Sequence, residues 1–342
     1  MNVAIVGATG AVGADLIDLL EKRNFPISSL KLLASARSVG KSCNFKGTQI
    51  AVEELNHNSF QGIDLAFFSA GGDRSLEFAP SAVKAGALVI DNSSAFRMQE
   101  DVPLVVPEVN PNAAFQHKGL IANPNCSTIQ MVVALFPLHQ ASPIKQIVVS
   151  TYQSVSGSGV NAIEELKQQV KDWLDGNELK HSIYPVPIAF NVIPQIDSFV
   201  DNGYTKEEMK LVHETRKIMG DPSILISATC VRVPVFRAHS EAVYIETTDK
   251  LTAAQATQLL KSAPGVVVLD ERKPGGYPVP AAITGKYETY VGRIREDIST
   301  DKGLSLWVVA DQLYKGAALN AIQIAELLLS KPKAQGGMGS NP

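Results

Sequence analysis

Cysteine is scarce in this sequence: the 342 residues include three, and no two of them have the close spacing typical of a metal site. Cys43, Cys126 and Cys230 therefore predict neither a disulfide framework nor a bound metal, and they fit a reducing compartment. Long apolar runs are also absent, since no stretch approaches the roughly 20 residues of a membrane span. The N-terminal MNVAIVGATG has no basic region ahead of its short apolar run, unlike a signal peptide. We expect a cytoplasmic protein with no membrane partner.

The sequence has no block of charge of one sign either. Charged residues make up 19% of it and the formal net charge is -3, so nucleic acid is not expected as a partner. Apolar residues make up 45%, which is typical of a soluble globular protein. A chain of this length can form two domains with a substantial core.

In the first third of the chain, short apolar runs alternate with helical patterns. After the first run, Val12, Leu16, Leu19 and Leu20 have the spacing of one helix face. Unalternating strands separated by helices predict an α/β fold with a parallel sheet covered on both faces. The predicted strands lie at 2–8, 30–35, 63–70, 87–93, 103–109 and 119–124.

From about residue 130 the pattern changes. A helix is predicted at 127–140, and strands at 224–235, 239–248 and 303–311. The first two of these strands are close in sequence, which indicates an antiparallel or mixed sheet. A last helix at 312–330 closes the fold.

The segment GATGAVG places three glycines, Gly7, Gly10 and Gly13, at the first strand-to-helix turn. Glycine there permits a tight turn and lets the backbone approach a pyrophosphate, whose charge is favoured by the helix N-terminus. The spacing is G-x-x-G-x-x-G, a weak motif by itself, and its place between a strand and an amphipathic helix supports a Rossmann-like dinucleotide site. A glycine-rich turn without a ligand is the other interpretation.

The residues at the end of the second predicted strand distinguish NAD from NADP as the cofactor. An acidic residue there would bind a ribose 2′-hydroxyl, but the segment ASARSVGKS offers Arg37, Ser38 and Lys41 and no acid. Cationic and hydroxyl donors suit a 2′-phosphate, so we expect NADP(H). A solvated basic loop is the alternative.

Cys126 stands in the segment NPNCST, at the N-terminus of a predicted helix. Free backbone N–H groups and the helix dipole predict a lowered thiol pKa, and the same N–H groups can hold an oxyanion. The alternative is an inert buried cysteine, as we expect for Cys43 and Cys230. Spacing alone leaves both interpretations of Cys126 open.

A thiol nucleophile needs a base, and six histidines compete for that role. His239 begins an apolar strand beside hydroxyl and acidic neighbours, which makes it the candidate. The other five lie in polar loops or on helices, where solvated histidines are usual.

Several motifs occur in a characteristic order over residues 1–330: GATGAVG, NPNCST, QSVSGSG, EEMK with HETRKI, and VRVPVFRAHSEA. Together they resemble the aspartate-β-semialdehyde dehydrogenase family. The resemblance implies NADPH-dependent reduction of L-aspartyl-4-phosphate to aspartate 4-semialdehyde with release of phosphate, in lysine, threonine and methionine biosynthesis. It also implies a homodimer formed through the second domain.

The resemblance implies a domain division as well. An N-terminal Rossmann-like NADP-binding domain is expected at 1–126, joined by the C-terminal helix 312–330. A catalytic and dimerisation domain of α+β type with a mixed sheet is expected at 127–311. The composition of the tail, rather than the resemblance, predicts disorder at 331–342.

Site residues follow from the same resemblance. Cys126 is the implied nucleophile that forms a thioester, His239 the acid–base group, and Gln153 the residue that holds the acyl substrate. The implied substrate contacts are Arg97 and Lys210 for phosphate, Glu207 for the ammonium and Arg232 for the α-carboxylate. The implied cofactor contacts, beyond Gly7 and Gly13, are Thr9, Gly10, Ala11, Val12, Arg37, Ser38, Ser156, Gly157 and Gln312.

The sequence spacing between Arg232 and His239 bears on their assignments. Arg232 lies seven residues before His239, and an odd interval places them on opposite faces of a straight strand, so Pro234 must mark a bend or bulge. Without a bend, Arg237 has the same parity as His239 and is the rival.

The helix near residue 205 carries two further assignments. Thr205 and Glu208 form a predicted capping box, which leaves Glu207 and Lys210 on one face. A surface ion pair is their alternative explanation. An arginine such as Arg97, taken alone, is more often a plain surface residue than a phosphate ligand.

Three competing interpretations differ in specific residues. N-acetyl-γ-glutamyl-phosphate reductase acts on a substrate without a free ammonium, and its cysteine usually follows glycine, whereas Asn125 stands here. Glyceraldehyde-3-phosphate dehydrogenase has a different cysteine context. A non-catalytic NADP-binding protein would not need the complete set of Cys126, Gln153, Arg232 and His239.

Overall fold

A computed structural model describes residues 1–330 of the chain. The tail predicted at 331–342 lies outside the described residues. Two sheets organise the molecule, one in each half of the sequence.

The first sheet has seven strands in the order β3-β4-β2-β1-β5-β6-β7, all parallel except that β3 runs antiparallel to β4. Along β1, Val3 and Ile5 pack with the first and last helices, while Ala4 and Val6 face the second helix. The prediction of a sheet covered on both faces is confirmed. The elements are β1 Asn2–Val6, α1 Ala11–Lys22, β2 Ser29–Ala34, β3 Ser42–Phe45, β4 Thr48–Glu54, β5 Leu65–Phe68, α2 Gly72–Lys84, β6 Leu88–Asp91 and β7 Leu120–Ala122.

The strand predicted at 103–109 is wrong. The segment is a buried turn that makes one isolated bridge, from Leu104 to Ala122. Pro103 and Pro107 lack the N–H groups that a strand would donate to its neighbours, so an apolar run alone does not form a strand here.

The second sheet has six strands in the order β11-β12-β13-β10-β8-β9. The β8–β9 and β11–β12 pairs are parallel and the others antiparallel, which confirms the mixed sheet. Although β9 and β10 are close in sequence, β8 lies between them. The elements are α3 Cys126–Ala141, β8 Ile144–Gln153, α4 Val160–Leu174, α5 Lys206–Met219, β9 Leu225–Arg232, β10 His239–Thr247, α6 Ala253–Ser262, β11 Val266–Val268, α7 Pro280–Ile283, β12 Thr289–Glu296, β13 Gly303–Ala310 and α8 Leu319–Ser330.

The two faces of the second sheet differ. Ile147 and Val149 of β8 belong to the core that includes residues of α3, α5 and α6. Their neighbours Val148 and Tyr152 point the other way and remain 39% and 38% exposed.

The chain crosses between the sheets twice. Residues 123–125 connect β7 of the first sheet to α3 of the second, and residues 311–318 connect β13 back to α8. The second crossing contains a π-helical turn at Tyr314–Ala318, in which the Ala318 N–H donates to the Leu313 carbonyl. The helix predicted at 312–330 is therefore α-helical only from Leu319.

Candidate active site

The glycine-rich turn between β1 and α1 is built for close backbone approach. Gly7 has φ +88°, and a Cβ there would lie 2.4 Å from the Ser69 carbonyl oxygen. A Cβ on Gly13 would lie 2.3 Å from the Gly7 carbonyl oxygen, so this glycine lets α1 pack against the turn. Gly10 is the N-cap of α1, and Ala11 is its first residue.

A cavity of about 540 Å³ lies over this turn and reaches the end of β2. Gly7, Thr9, Gly10 and Arg37 line it, while Ser38 is buried and makes a 3.2 Å hydroxyl–hydroxyl hydrogen bond with Thr9. The glycines leave space that a Cβ would fill, and Arg37 provides a cation, so the chain fits a dinucleotide with a further phosphate. Arg74 also lines this cavity, although sequence reasoning did not select it.

Cys126 is the first residue of α3. Asn125 caps the helix, its Oδ1 accepting from the Ser127 N–H at 3.0 Å and from the Thr128 N–H at 3.3 Å. Cys126 lines two cavities, of about 230 and 510 Å³. The smaller also contains Val12 and Gln312, and both contain Gly157. The thiol thus borders both the cofactor-side and the substrate-side space.

The predicted lowering of the Cys126 pKa is wrong for the free protein. The pKa of the thiol is raised to about 12, chiefly by burial and also by the negative charge of Glu207, while Arg97 and Arg232 act in the opposite direction. The helix N-terminus therefore does not outweigh desolvation.

His239 begins β10 and is fully buried. Its Nδ1 accepts from the Ser154 backbone N–H at 3.0 Å, so the neutral ring carries its proton on Nε2. Among the described residues, Nε2 has no hydrogen-bond partner. Burial and the charge of Arg232 hold the pKa of His239 well below its usual value, which favours this neutral form.

Arg232 and His239 converge on one glycine. A Cβ on Gly157 would lie 2.9 Å from Arg232 Nη1 and 3.3 Å from His239 Nε2. Arg232 ends β9, whereas His239 starts β10, so the bend predicted within one strand is instead a connection between two strands at 233–238.

Arg237, the alternative to Arg232, forms two ion pairs with other residues. Its Nε donates to Asp311 at 2.7 Å and its Nη2 to Asp15 at 2.9 Å, which links the two halves of the chain. Because Arg237 is held in these two ion pairs, Arg232 remains the candidate for the carboxylate.

Glu207 receives hydrogen bonds from three side chains: Asn125 Nδ2 at 2.9 Å, Lys210 Nζ at 3.0 Å and Gln153 Nε2 at 3.3 Å. Burial alone would raise its pKa, but the charge of Lys210 and these donors hold the pKa below the usual value. Glu207 is 5% exposed, so the pair with Lys210 is not a surface ion pair. Asp197, which was not predicted, also contacts Lys210 at 3.1 Å.

The capping box of α5 is confirmed. Thr205 Oγ1 accepts from the Glu208 N–H at 3.3 Å, and Glu208 Oε2 accepts from the Thr205 N–H at 2.7 Å.

Arg97 is buried rather than on the surface. Its Nε donates to the Asn123 carbonyl at 2.9 Å, its Nη2 to the Asn92 carbonyl at 2.8 Å, and its Nη1 to Glu214 at 3.0 Å. It lines both cavities around Cys126. Sequence reasoning missed Glu214, although it lies seven residues after Glu207 and so shares its helix face.

Gln312 joins the second crossing to the loop after β8. Its Oε1 accepts from the Ala238 N–H at 2.8 Å, and its Nε2 hydrogen-bonds the buried Ser156 hydroxyl. Ser156 thereby supports the turn that presents Gly157 to the cavities.

Comparisons with known proteins agree with this geometry. The family descriptions "Semialdehyde dehydrogenase, NAD binding domain" and "Semialdehyde dehydrogenase, dimerisation domain" match residues 2–117 and 135–315. The aspartate-semialdehyde dehydrogenase of Aquifex aeolicus is 56% identical over 334 residues, covering 96% of this chain and 98% of that protein. The chain belongs to the aspartate-semialdehyde dehydrogenase family.

Solved structures of this family have the same fold. The aspartate semialdehyde dehydrogenase II of Vibrio cholerae, in complex with ASA, is 50% identical with a TM-score of 0.94, and the match covers 96% of this chain and 98% of that one. The Candida albicans enzyme with NADP is 27% identical with a TM-score of 0.74, at 96% and 98% coverage. The family resemblance and the fold class predicted from the sequence are thus confirmed. None of the helices within residues 1–330 is long and apolar enough to cross a membrane.

Proposed function

We propose that this chain is an NADP-dependent aspartate-semialdehyde dehydrogenase. It reduces L-aspartyl-4-phosphate to aspartate 4-semialdehyde and releases phosphate. One observation carries the proposal: Cys126 borders a cavity of about 510 Å³ whose lining also provides Gln153, Glu207, Lys210 and Arg232. A thiol, an amide, an anion and two cations around one cavity are what this substrate demands.

Each charged group of the substrate is assigned to a side chain of opposite charge. Arg232 takes the α-carboxylate, because its buried Nε has no partner among the described residues. Glu207 takes the ammonium, since its low pKa keeps it an anion. Arg97 and Lys210 take the phosphate. An acetylated substrate carries no ammonium and would leave the buried Glu207 without this partner.

The cofactor is NADP(H). Gly7, Gly10 and Thr9 fit the pyrophosphate at the N-terminus of α1, and Arg37 with Ser38 suits the 2′-phosphate. The cavity shared by Val12, Gln312, Gly157 and Cys126 leads from this site to the thiol. When bound, the cofactor supplies the hydride for reduction.

Cys126 acts as the nucleophile. Its Sγ forms a bond to the acyl carbon while the bond from that carbon to the phosphate oxygen breaks, and the thiol proton leaves with the departing phosphate, giving a thioester. After reduction of the thioester carbon, the bond from that carbon to Sγ breaks, the aldehyde leaves and Sγ takes up a proton from solvent. His239 is the acid–base group. Its Nε2–H donates a hydrogen bond to the reacting carbonyl oxygen as negative charge develops on that oxygen. Gln153, held by Glu207, orients the acyl group.

The proposed enzyme is a cytoplasmic homodimer. The three cysteines are unpaired, which fits a reducing compartment. We assign the dimer contact to the second-sheet face that carries Val148 and Tyr152. We place the domain division at 126–127, with 312–330 returning to the NADP-binding domain.

The test is NADP reduction by the purified protein in the presence of L-aspartate semialdehyde and phosphate. N-acetylglutamate semialdehyde is the competing substrate, and Cys126→Ser is the control. Phosphate-dependent turnover of the first substrate, abolished by Cys126→Ser, supports the proposal. Turnover of the acetylated substrate instead would transfer the chain to the other reductase and remove the role of Glu207.

A further inference from the structure

Glu214 contacts the active site but has no step in the mechanism above. It lies on α5, seven residues after Glu207 and four after Lys210, so the three share one helix face. Its side chain is 2% exposed. A buried carboxylate is costly unless charged or hydrogen-bonding groups satisfy both oxygens.

Each oxygen of Glu214 has a different partner. Oε1 accepts from Arg97 Nη1 at 3.0 Å, and Oε2 accepts from the backbone N–H of Asn125 at 2.6 Å. The carboxylate of Glu214 therefore links the loop that carries Arg97 to the segment directly ahead of Cys126.

The contact leaves part of Arg97 available. A guanidinium has five N–H donors, and Asn123, Asn92 and Glu214 accept from its three nitrogens with one bond each. Two N–H groups remain, and Arg97 lines the same cavity as Cys126. The three bonds fix the direction in which the remaining donors point.

Asn125 is likewise held by hydrogen bonds, through both its side chain and its backbone. Its side chain caps α3 and donates to Glu207, and its backbone N–H is taken by Glu214. Since Cys126 is the next residue, the position of the thiol depends on this anchor.

We propose that Glu214 is a positioning residue, which holds the guanidinium of Arg97 at a fixed separation from the thiol of Cys126. The phosphate is then held while the acyl carbon meets Sγ, and a misplacement of about 1 Å would lower the rate of that step. The inference rests on the proposed function.

The test is the kinetics of Glu214→Gln, measured as NADP reduction with L-aspartate semialdehyde and varied phosphate. An amide has one acceptor oxygen, so one of the two contacts becomes donor against donor. We expect the KM for phosphate to rise at least about tenfold and kcat to fall, with the KM for NADP within about twofold. A merely structural defect would lower the active fraction and leave both KM values unchanged.

Two further variants sharpen the result. Glu214→Asp keeps the charge but is one methylene too short for both contacts, so it should show the same rise in KM for phosphate if Glu214→Gln does not fold. Glu326→Gln removes another arginine-paired carboxylate, which lies 2.6 Å from Arg23 and outside the cavities around Cys126, and this control should behave as wild type.

The outcomes separate the two proposals. A wild-type enzyme without phosphate-dependent turnover refutes the proposed function itself. An active wild type, with folded Glu214 variants whose KM for phosphate and kcat are unchanged, overturns the role of Glu214 alone.

Discussion

The thiol of Cys126 sits among opposing charges. Burial and Glu207 disfavour the thiolate, while Arg97 and Arg232 favour it, and burial is the largest effect. A substrate ammonium beside Glu207 would neutralise that anion. The free protein therefore keeps a protonated thiol, and in the proposed mechanism the substrate ammonium completes the charge pattern for attack.

This environment predicts slow alkylation of Cys126 in the free protein. With a thiol pKa of about 12, the rate of reaction with iodoacetamide should rise roughly tenfold per pH unit up to pH ~10 without a plateau, because the thiolate fraction does so. Peptide mass spectrometry measures the rate at Cys126, and Glu207→Gln should raise it near neutral pH. A plateau below about pH 8 in the wild type would contradict the prediction.

For single residues, the sequence predicted which side chains lie at the site, but it did not predict the pKa of Cys126. Cys126, His239 and Arg232 could be selected from motifs, but the pKa of Cys126 depends on burial by residues distant in sequence. Glu214 was missed for the same reason: its partners Arg97 and Asn125 lie 117 and 89 positions away. Helix periodicity from Glu207 was the signal available.

At the scale of elements, the π-helical turn at Tyr314–Ala318 shapes the back of the site. Gly316 faces Cys126 within this turn, and a Cβ on it would lie 2.7 Å from the Cys126 Cβ. Such turns are costly and occur often at functional sites. The glycine lets the second crossing pack directly against Cys126.

Gly316→Ala is therefore expected to displace Cys126. We expect kcat to fall on the order of a hundredfold, as for a 1 Å misplacement, and the free energy of unfolding to drop by about 1–3 kcal/mol. Gly72→Ala is the matched control, because a Cβ there meets nothing within 4 Å. Steady-state kinetics and chemical denaturation measure both effects, and equal kcat for the two variants would refute the argument.

Elements with strong apolar patterns were predictable, and the errors have physical causes. The buried run at 103–109 contains prolines that prevent strand pairing. The β3–β4 hairpin was not predicted, because most of its residues are exposed and polar, and its turn has Lys46 and Gly47 rather than Asn-Gly. The π-helical turn could not be predicted, because it depends on how Gly316 packs against Cys126, which is distant in sequence.

At the scale of the whole molecule, the second sheet has one face in the core and one that carries exposed apolar side chains. Val148 is 39% exposed at the centre of β8, where it pairs with Tyr244 of β10. Covering this face with a second copy would bury these apolar side chains.

Val148→Arg is expected to convert the proposed dimer into monomers, because it would bury an unpaired charge at the contact. Size-exclusion chromatography with light scattering measures the mass. Leu76→Arg, at a 53% exposed position on α2, is the control and should leave the mass unchanged. A dimeric Val148→Arg variant would place the contact elsewhere.

Both crossings between the sheets pass beside the same atom. Residues 123–125 lead directly into Cys126, and the turn of the other crossing packs on it through Gly316. Arg97 with Glu214 and Arg237 with Asp15 also join the two halves. Cys126 therefore stands at the junction of the two halves, so a substitution in either connection acts on the position of the thiol.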